Sequence, residues 1–262
     1  MTKRRPYRGW EFQRAILYEQ MFPYPGNCPL RGIVFDLDDT LVDLETLKLR
    51  AMDALAARGV PMAPFRVVDG QWWSAYAAGK RSLEEVRRGR WRDLGVADDD
   101  VDGVEVLYRW YTEPTEAKVG APEVLRCLRA AGMRLALLSN GFGQSQRAKI
   151  RTAGLGSLVD AVLISDETGV AKPDAVAFRQ AAERLGLSVH ECAMVGDNLQ
   201  FDCEAALSAE YRAAFWVPRD QQVTGQAATG RVVTVQTISD LPRQMRTVAQ
   251  ALPPIGTLLV AL

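Results

Sequence analysis

Histidine and cysteine are scarce in this sequence, which has one histidine and four cysteines among 262 residues. The cysteines, Cys28, Cys127, Cys192 and Cys203, are scattered, and no two of them form a C-x-x-C pair. Structural zinc sites and disulfide frameworks both need clustered cysteine or histidine. The sequence therefore predicts neither of them, and a reducing cytoplasm is the simplest location for the protein.

An excess of charge of one sign and a long apolar run are also absent. Lysine plus arginine and aspartate plus glutamate each number 32, so the overall charge gives no reason to expect nucleic acid or an anionic membrane as the main partner. No apolar run approaches the roughly 20 residues of a membrane span, and none follows the basic residues 1–6. We expect no nucleic-acid partner, no membrane insertion, and chemistry on a small molecule. The sequence does not indicate an oligomeric state.

Hydrophobic residues make up 48% of the chain, which is enough to bury a full core. From residue 122 onward, helical spacing alternates with short apolar strands, as is typical of a parallel sheet built from βαβ units. The predicted strands are 33–35, 134–138, 161–164, 193–195, 213–217 and 232–235. The predicted helices of this region are 122–131, 144–153, 174–185 and 238–251.

Between residues 44 and 111 the pattern is helical throughout, which predicts an all-helical insert of roughly 70 residues. The predicted helices are 44–58, 65–78, 82–94 and 99–111. We expect the aromatic residues here mainly to fill the core of the insert, rather than to line a substrate cavity: Trp72, Trp73, Tyr76, Trp91, Trp110 and Tyr111. We expect the basic residues to form mainly a solvated helix face, rather than an anion clamp: Lys80, Arg81, Arg87, Arg88, Arg90 and Arg92.

The first 30 residues form an extension whose middle, 11–21, has apolar residues at helical spacing. Such spacing favours a helix packed against its own chain over a partner-binding or dimer-forming arm. At the other end, residues 253–262 are apolar enough to pack against the protein, at a place that the sequence does not indicate.

Three nearly consecutive carboxylates, Asp36, Asp38 and Asp39, follow the buried strand 33–35. Ligands of open α/β sheets bind at the carboxyl ends of strands, and carboxylates clustered there are costly unless a cation occupies them. Asp36 could offer its carboxylate and Asp38 its backbone carbonyl to Mg²⁺, which prefers oxygen ligands. The side chain of Asp38 is then available for proton transfer. The competing interpretation is an ordinary acidic turn or helix N-cap.

Three later strand ends carry further polar residues. Ser139 and Asn140 offer a hydroxyl and backbone NH groups that suit a phosphate. Lys172 holds an ammonium group at the start of a helix, and Asp197, with Asp202 about one helical turn later, adds a second acidic pair. Each stretch alone could be a helix cap or a surface residue. Together with the first acidic cluster, they predict one shared site at the edge of the sheet.

These motifs resemble, in order and spacing, those of the haloacid dehalogenase-like hydrolase superfamily, in its phosphatase branch with an α-helical cap. They are Phe35-Asp36-Leu37-Asp38-Asp39-Thr40-Leu41, Leu138-Ser139-Asn140-Gly141, Lys172-Pro173, and Val195-Gly196-Asp197-Asn198 with Asp202. The resemblance covers roughly residues 31–240 and implies an α/β fold with a doubly wound parallel-sheet core and an inserted α-helical cap. It divides the chain into an extension (1–30), a core (31–42 and 116–250), a cap (43–115) and a tail (251–262).

The resemblance also implies the catalytic roles. Asp36 would be the nucleophile that forms an aspartyl-phosphate. Asp38 would be the acid that protonates the leaving oxygen and then the base that activates water. Ser139 and Asn140 would bind the phosphoryl group, and Lys172 would bind it and stabilise its charge.

For the metal, the resemblance implies Mg²⁺ held by Asp36, the Asp38 carbonyl and Asp197, while Asp202 orients Lys172 or supports the metal shell. The expected activity is Mg²⁺-dependent hydrolysis of a small phosphate monoester, a nucleotide or sugar phosphate, so the expected partner is a small phosphorylated metabolite. The alternatives are a phosphomutase of the same superfamily and a non-catalytic binding module that retains the fold.

Two finer features stand beside this general resemblance. Asn140-Gly141-Phe142, with Gln146, Lys149 and Gly154-Leu155, is similar to phosphatases that act on nucleoside monophosphates and acylneuraminate phosphates. Glu210 departs from the family pattern, which usually has glycine in the turn before the next strand. This departure leaves the local geometry of the turn at Glu210 open and has no consequence for the chemistry.

Overall fold

The computed structural model describes residues 30–62, 64–219 and 231–251, with side chains as far as residue 248. Residues 1–29 and 252–262, which contain most of the predicted extension and tail, lie outside the described residues. The predicted helix at 11–21 therefore stays a prediction.

A single parallel sheet of six strands organises the described part of the chain. The strands are β1 (Gly32–Phe35), β2 (Arg134–Ser139), β3 (Ala161–Ile164), β4 (Cys192–Gly196), β5 (Ala213–Trp216) and β6 (Val232–Thr234). Their spatial order is β3-β2-β1-β4-β5-β6, so the order reverses at β1. In doubly wound sheets the crevice at such a reversal, beyond the carboxyl ends of the strands, is where ligands bind.

The helices with ten or more residues fall into two groups. In the insert they are α1 (Leu44–Ala57), α2 (Phe65–Ala77), α3 (Leu83–Asp93) and α4 (Val101–Thr112). Around the sheet they are α5 (Ala121–Ala130), α6 (Gly143–Thr152), α7 (Ala175–Arg184) and α8 (Leu241–Ala251). The predicted strands and helices between residues 33 and 251 are confirmed, with ends that differ by one or two residues and with a short 3₁₀ turn, Ile238–Asp240, opening the last one.

Both faces of the sheet are covered by helices. Every residue of β1 is buried, and successive side chains point to opposite faces. Phe35 joins an apolar cluster with Leu125 of α5 and Leu241 of α8, whereas Val34 joins a second cluster with Phe178 of α7. This arrangement is the doubly wound α/β core that the sequence resemblance implied, with each face burying its own apolar layer.

The insert forms a helical cap with a separate apolar core. Phe65, Trp91 and Tyr108 pack around one another, with ring centroids 5.3 to 5.9 Å apart. The predicted start of α3 is confirmed, because Ser82 and Glu85 form a reciprocal capping box. Core filling, predicted for the aromatic residues, is right for Trp91, which is fully buried, and wrong for Trp110, which is 67% exposed.

A chain of buried charges ties the cap helices together, and we call it the cap ion chain. Lys48 of α1 contacts Asp69 of α2 at 3.2 Å. Arg90 of α3 contacts Asp69 at 3.2 Å and Glu105 of α4 at 2.6 Å. The prediction of a solvated basic face fails at Arg90, which is 2% exposed, because its partners on α2 and α4 bring it inward. Arg87 and Arg88, whose side chains are 27% and 28% exposed, pair with the exposed Asp102 at the surface.

Two neighbouring segments of the chain, at residues 41–42 and 117–118, join the cap to the core. Val42 and Ala117 form an isolated antiparallel bridge, and the Lys118 amide donates to the Leu41 carbonyl at 2.7 Å. The exact domain boundaries, 31–42 with 116–250 and 43–115, stay predictions. Within the described residues, no helix has the length and apolar character that crossing a membrane would require.

Candidate active site

Asp36 occupies the carboxyl end of β1 and is 6% exposed. Its Oδ1 accepts from the Lys172 Nζ at 2.7 Å, and its Oδ2 accepts from the Thr40 hydroxyl at 3.0 Å. Burial raises the pKa of Asp36, and the nearby Asp202 and Asp197 add to this effect, while Lys172 opposes it. A second cation beside Asp36 would therefore favour its carboxylate form.

Lys172 lies between two carboxylates. Its ammonium donates to Asp36 and, at 2.6 Å, to the Oδ1 of Asp202. Burial lowers the pKa of Lys172, but the charges of Asp202 and Asp36 outweigh burial and raise the pKa above its ordinary value. Lys172 is thus held as a cation beside Asp36, and the predicted role of Asp202 in orienting it agrees with this contact.

Asp197 extends the acidic group from the end of β4. Burial and the charge of Asp202 raise its pKa, although the Arg219 guanidinium contacts its carboxylate. The indole NH of Trp216 donates to the backbone carbonyl of Asp197 at 2.7 Å and fixes the start of this loop. Arg219 also lies 3.4 Å from Asp39, so Asp39 belongs to the edge of the same cluster.

The donor set fits a hard divalent cation. Carboxylate oxygens of Asp36, Asp197 and Asp202 all lie within 4.8 Å of one another. Such a cluster of buried carboxylates is unfavourable by itself, and oxygen ligands are those that Mg²⁺ prefers. Both oxygens of Asp202 already accept hydrogen bonds, from Lys172 at 2.6 Å and from the Asn198 amide at 3.0 Å. Asp202 is also the most buried of the three, at 1% exposure against 6% for Asp36 and 9% for Asp197. Asp36 and Asp197 are therefore the better candidates for direct ligands.

The end of β2 brings Ser139 and Asn140 to the same crevice. Ser139 is 1% exposed, and its hydroxyl oxygen accepts from the Gln146 side chain at 2.6 Å. The Asn140 side chain instead bridges to the backbone of Lys172, donating to its carbonyl at 2.8 Å and accepting from its amide at 2.9 Å. Asn140 therefore positions the Lys172 loop, a contact that sequence spacing did not predict.

The side chain of Asp38 is held by two residues of α6. Lys149 Nζ donates to its two oxygens at 2.8 and 3.0 Å, and Gln146 Nε2 donates to Oδ2 at 2.8 Å. Burial would raise the pKa of Asp38, but Lys149 and Gln146 outweigh it and lower the pKa below its ordinary value. Gln146 and Lys149 entered the sequence resemblance only as part of the match to a narrower group of phosphatases, without a predicted role. Their spacing of three residues on the helix that follows Ser139 is the signal that could have placed them on one face.

A cavity of about 390 Å³ lies above these residues, between the cap and the core. Trp73 of the cap meets Phe142 of the core edge to face, with centroids 5.9 Å apart. Lys48 and Tyr108 also face the cavity from the cap. Six of the site residues that the sequence predicted therefore lie at its floor: Asp36, Asp38, Asn140, Lys172, Asp197 and Asp202. Ser139 is buried and does not line the cavity, but its hydroxyl contacts Gln146, which does.

Comparison with known proteins agrees with this geometry. The chain is 34% identical over 233 residues to the phosphoserine phosphatase of Thermus thermophilus, covering 72% of this chain and 89% of that protein. It is 26% identical over 239 residues to the N-acylneuraminate-9-phosphatase of Mus musculus, covering 85% of this chain and 96% of the mouse protein.

A solved structure has the same fold. The HAD-hydrolase YfnB of Bacillus subtilis, in a crystal form bound to magnesium, superposes with a TM-score of 0.72 at 22% identity, covering 82% of this chain and 98% of YfnB. Residues 30–210 match the family of haloacid dehalogenase-like hydrolases. The chain is therefore a hydrolase that belongs to the haloacid dehalogenase-like family.

Proposed function

We propose that the protein is a Mg²⁺-dependent phosphatase that hydrolyses a small phosphate monoester through an aspartyl-phosphate on Asp36. The observation that carries the proposal is the position of Asp36 at the floor of the cavity, 2.7 Å from the Lys172 ammonium and beside the carboxylates of Asp197 and Asp202. A nucleophilic carboxylate, a fixed cation and a metal-binding acidic group are the parts that phosphoryl transfer requires.

In the first step, an oxygen of Asp36 attacks phosphorus, and the bond from phosphorus to the ester oxygen breaks. In the second step, water attacks the same phosphorus, the bond to Asp36 breaks, and inorganic phosphate leaves. Lys172 stabilises the negative charge of the phosphoryl group in both steps, and the Ser139 hydroxyl is the neighbouring donor. Mg²⁺ held by Asp36 and Asp197 would supply further charge stabilisation.

Asp38 is the proposed proton-transfer group. Its contacts with Lys149 and Gln146 favour the carboxylate, which suits the base that takes a proton from water in the second step. For the first step Asp38 must hold a proton for the ester oxygen. Entry of an anionic phosphate beside Asp38 favours this protonated form, because like charges raise the pKa of a carboxyl group.

The named activities of the relatives guide the choice of substrate class. The mouse relative is a phosphatase of N-acylneuraminate 9-phosphate, and the Thermus relative is a phosphatase of phosphoserine. A cavity of about 390 Å³ with charged walls suits the polar remainder of a small metabolite ester, such as a nucleotide or sugar phosphate. A cytoplasmic location agrees with such a metabolite and is part of the proposal.

The experiment is release of inorganic phosphate from a panel containing phosphoserine, a sugar phosphate, a nucleoside monophosphate and para-nitrophenyl phosphate, with and without Mg²⁺. We expect Mg²⁺-dependent release by the wild type. We expect none by Asp36→Asn, because an amide is a poor nucleophile. Asp53→Asn, at an exposed position on α1, is the matched control and should equal the wild type.

Several results would overturn the proposal. Equal turnover after complete removal of divalent metal would contradict the metal requirement. Release of halide from 2-haloacids, without phosphate release, would identify a dehalogenase. Isomerised phosphate esters would identify a phosphomutase, and binding without turnover would identify a non-catalytic module.

A further inference from the structure

Gln146 and Lys149 lie next to each other on one face of α6 and are both buried, at 2% and 6% exposure. We call them the α6 pair. Their polar groups are directed at Asp38 across 108 and 111 positions of sequence. A buried amide and a buried ammonium are costly to place in a protein unless their partners require them there.

Gln146 contacts three site residues through a single atom, the longest contact being the one to the Asn140 carbonyl at 3.5 Å. Its Nε2 donates to Asp38 Oδ2 at 2.8 Å and to the Ser139 hydroxyl oxygen at 2.6 Å. The opposite orientation of the amide would direct its carbonyl oxygen at the Asp38 carboxylate, which is unfavourable. Because the Ser139 oxygen accepts from Gln146, the Ser139 proton is directed away from Gln146, and the proposed function assigns that proton to a phosphate oxygen.

Lys149 contacts Asp38 and not Ser139 in the described structure. Its ammonium spans both Asp38 oxygens, at 2.8 and 3.0 Å, and so fixes the rotation of the carboxylate. We propose that the α6 pair are positioning residues of the reaction: Lys149 orients Asp38 alone, while Gln146 orients both Asp38 and the Ser139 hydroxyl. This inference rests on the proposed phosphatase function.

The division of contacts gives two different kinetic signatures. Lys149→Met should lower kcat for the best alkyl phosphate of the panel by about 100-fold, as expected when a reacting group loses its position. It should leave the affinity for the inhibitor inorganic phosphate unchanged. Gln146→Met should lower kcat as well, and should also weaken inorganic phosphate about 2- to 10-fold, because the Ser139 hydrogen bond is lost.

The leaving group provides a second readout. Para-nitrophenyl phosphate has a good leaving group that needs little proton donation, so formation of the phosphoenzyme from it should be much less affected by Lys149→Met. In an Asp38→Asn background, Lys149→Met should cause no more than about a 3-fold further loss, because residues that act through each other are not additive. Arg151→Met, exposed on the same helix, is the matched control and should equal the wild type.

Each outcome decides a separate point. Lys149→Met and Gln146→Met with wild-type kinetics, alongside an inactive Asp38→Asn, would overturn the positioning role and leave the proposed function intact. Asp38→Asn with wild-type turnover of alkyl phosphates would overturn the acid/base role in the proposed function. If Arg151→Met lost as much kcat as Lys149→Met, the effect would be one of general stability and the inference would be refuted. The same holds if the losses of Lys149→Met and Asp38→Asn were fully additive. Thermal unfolding of each variant shows whether it is folded, and Lys149→Gln replaces Lys149→Met if that variant does not fold.

Discussion

At the scale of single residues, Glu210 is the position where the sequence departs from the family pattern, and its backbone conformation is one that non-glycine residues rarely adopt. Glu210 has a φ of 68°, in the left-handed region that glycine adopts without strain. The sequence resemblance left the geometry of this turn open, because relatives usually have glycine at this position. The turn keeps the backbone geometry that glycine would adopt. Glutamate in place of glycine therefore adds conformational strain to the turn and leaves its shape unchanged.

We predict that Glu210→Gly stabilises the protein. The left-handed conformation costs a non-glycine residue about 1–2 kcal/mol, and the flexibility of glycine in the unfolded chain offsets about 0.5–1 kcal/mol of that gain. The net increase in the free energy of unfolding should be at most about 1.5 kcal/mol, measured by urea denaturation. Glu210→Ala, which removes the same charge but keeps the Cβ atom, is the control. If alanine stabilised as much as glycine, backbone strain would not be the cause.

At the scale of secondary-structure elements, the end of β4 is built around a close approach to the π-helical turn Leu199–Glu204. A Cβ atom on Gly196 would lie 2.2 Å from the Asp202 Oδ2, a distance that real side chains cannot accept. Gly196 therefore allows Asp202 to reach Lys172. A motif of small and acidic residues at a strand end thus has a steric as well as a chemical requirement.

We predict that Gly196→Ala displaces Asp202 and lowers both phosphatase activity and the free energy of unfolding. Overpacking of this kind costs about 1–3 kcal/mol, and misplacing Lys172 should reduce kcat by about 100-fold. The measurements are urea denaturation and phosphate release. Gly156→Ala is the matched control, since the nearest atom to its added Cβ would be at an ordinary 3.5 Å. Wild-type activity in Gly196→Ala would contradict the steric role.

The cap ion chain gives a pH-dependent prediction at the same scale. Burial would raise the pKa of Asp69, but Lys48 and Arg90 outweigh it and lower the pKa below the ordinary value. A carboxyl group with a lowered folded-state pKa contributes stability that is present above its unfolded value, 3.8, and lost as the pH falls through the folded value. Asp69 should therefore stabilise the cap at neutral pH and lose this effect in the acid range below about pH 4.

We accordingly predict that Asp69→Asn lowers the free energy of unfolding by about 3 kcal/mol at pH 7, because it leaves Arg90 and Lys48 with less compensation. The difference in the free energy of unfolding between Asp69→Asn and the wild type should become smaller as the pH approaches 3.5. Urea denaturation at pH 7, 5 and 3.5 measures it, with the exposed Asp98→Asn as control. A difference that widened on acidification would contradict the sign of this argument.

At the scale of the whole molecule, the cavity has walls from two separately packed parts of the chain. The core supplies the acidic floor, while the cap supplies Lys48, Trp73 and Tyr108 above it. A change on the cap wall should therefore alter which ester is accepted without removing the chemistry. Trp73 is the most direct test, since it lines the cavity and contacts Phe142 of the core edge to face.

We predict that Trp73→Ala changes the ratio of kcat/KM between esters of the panel by about 10-fold, since one lost apolar contact is worth about 1–3 kcal/mol. Trp110→Ala is the matched control, because Trp110 lies on the cap but is 67% exposed. The measurement is kcat/KM for each ester. Uniform changes across the panel would indicate that Trp73 affects cap stability and not substrate choice.

The sequence by itself determined the element types and the composition of the acidic floor. Apolar periodicity is a local property, so it located β1 and the helices of the cap within one or two residues. Because parallel strands place their carboxyl ends at one edge, the order of motifs was enough to bring Asp36, Lys172 and Asp197 together.

Only the tertiary structure decided which groups contact one another within that site. Hydrogen-bond partners depend on distances of a few tenths of an ångström between segments that lie far apart in sequence, and no local pattern contains them. In the structure, the Asn140 side chain hydrogen-bonds the backbone of Lys172. Lys149 and Gln146 both hydrogen-bond the side chain of Asp38. The tertiary structure also buried Arg90, which resembles its exposed neighbours in sequence, because its acidic partners come from α2 and α4.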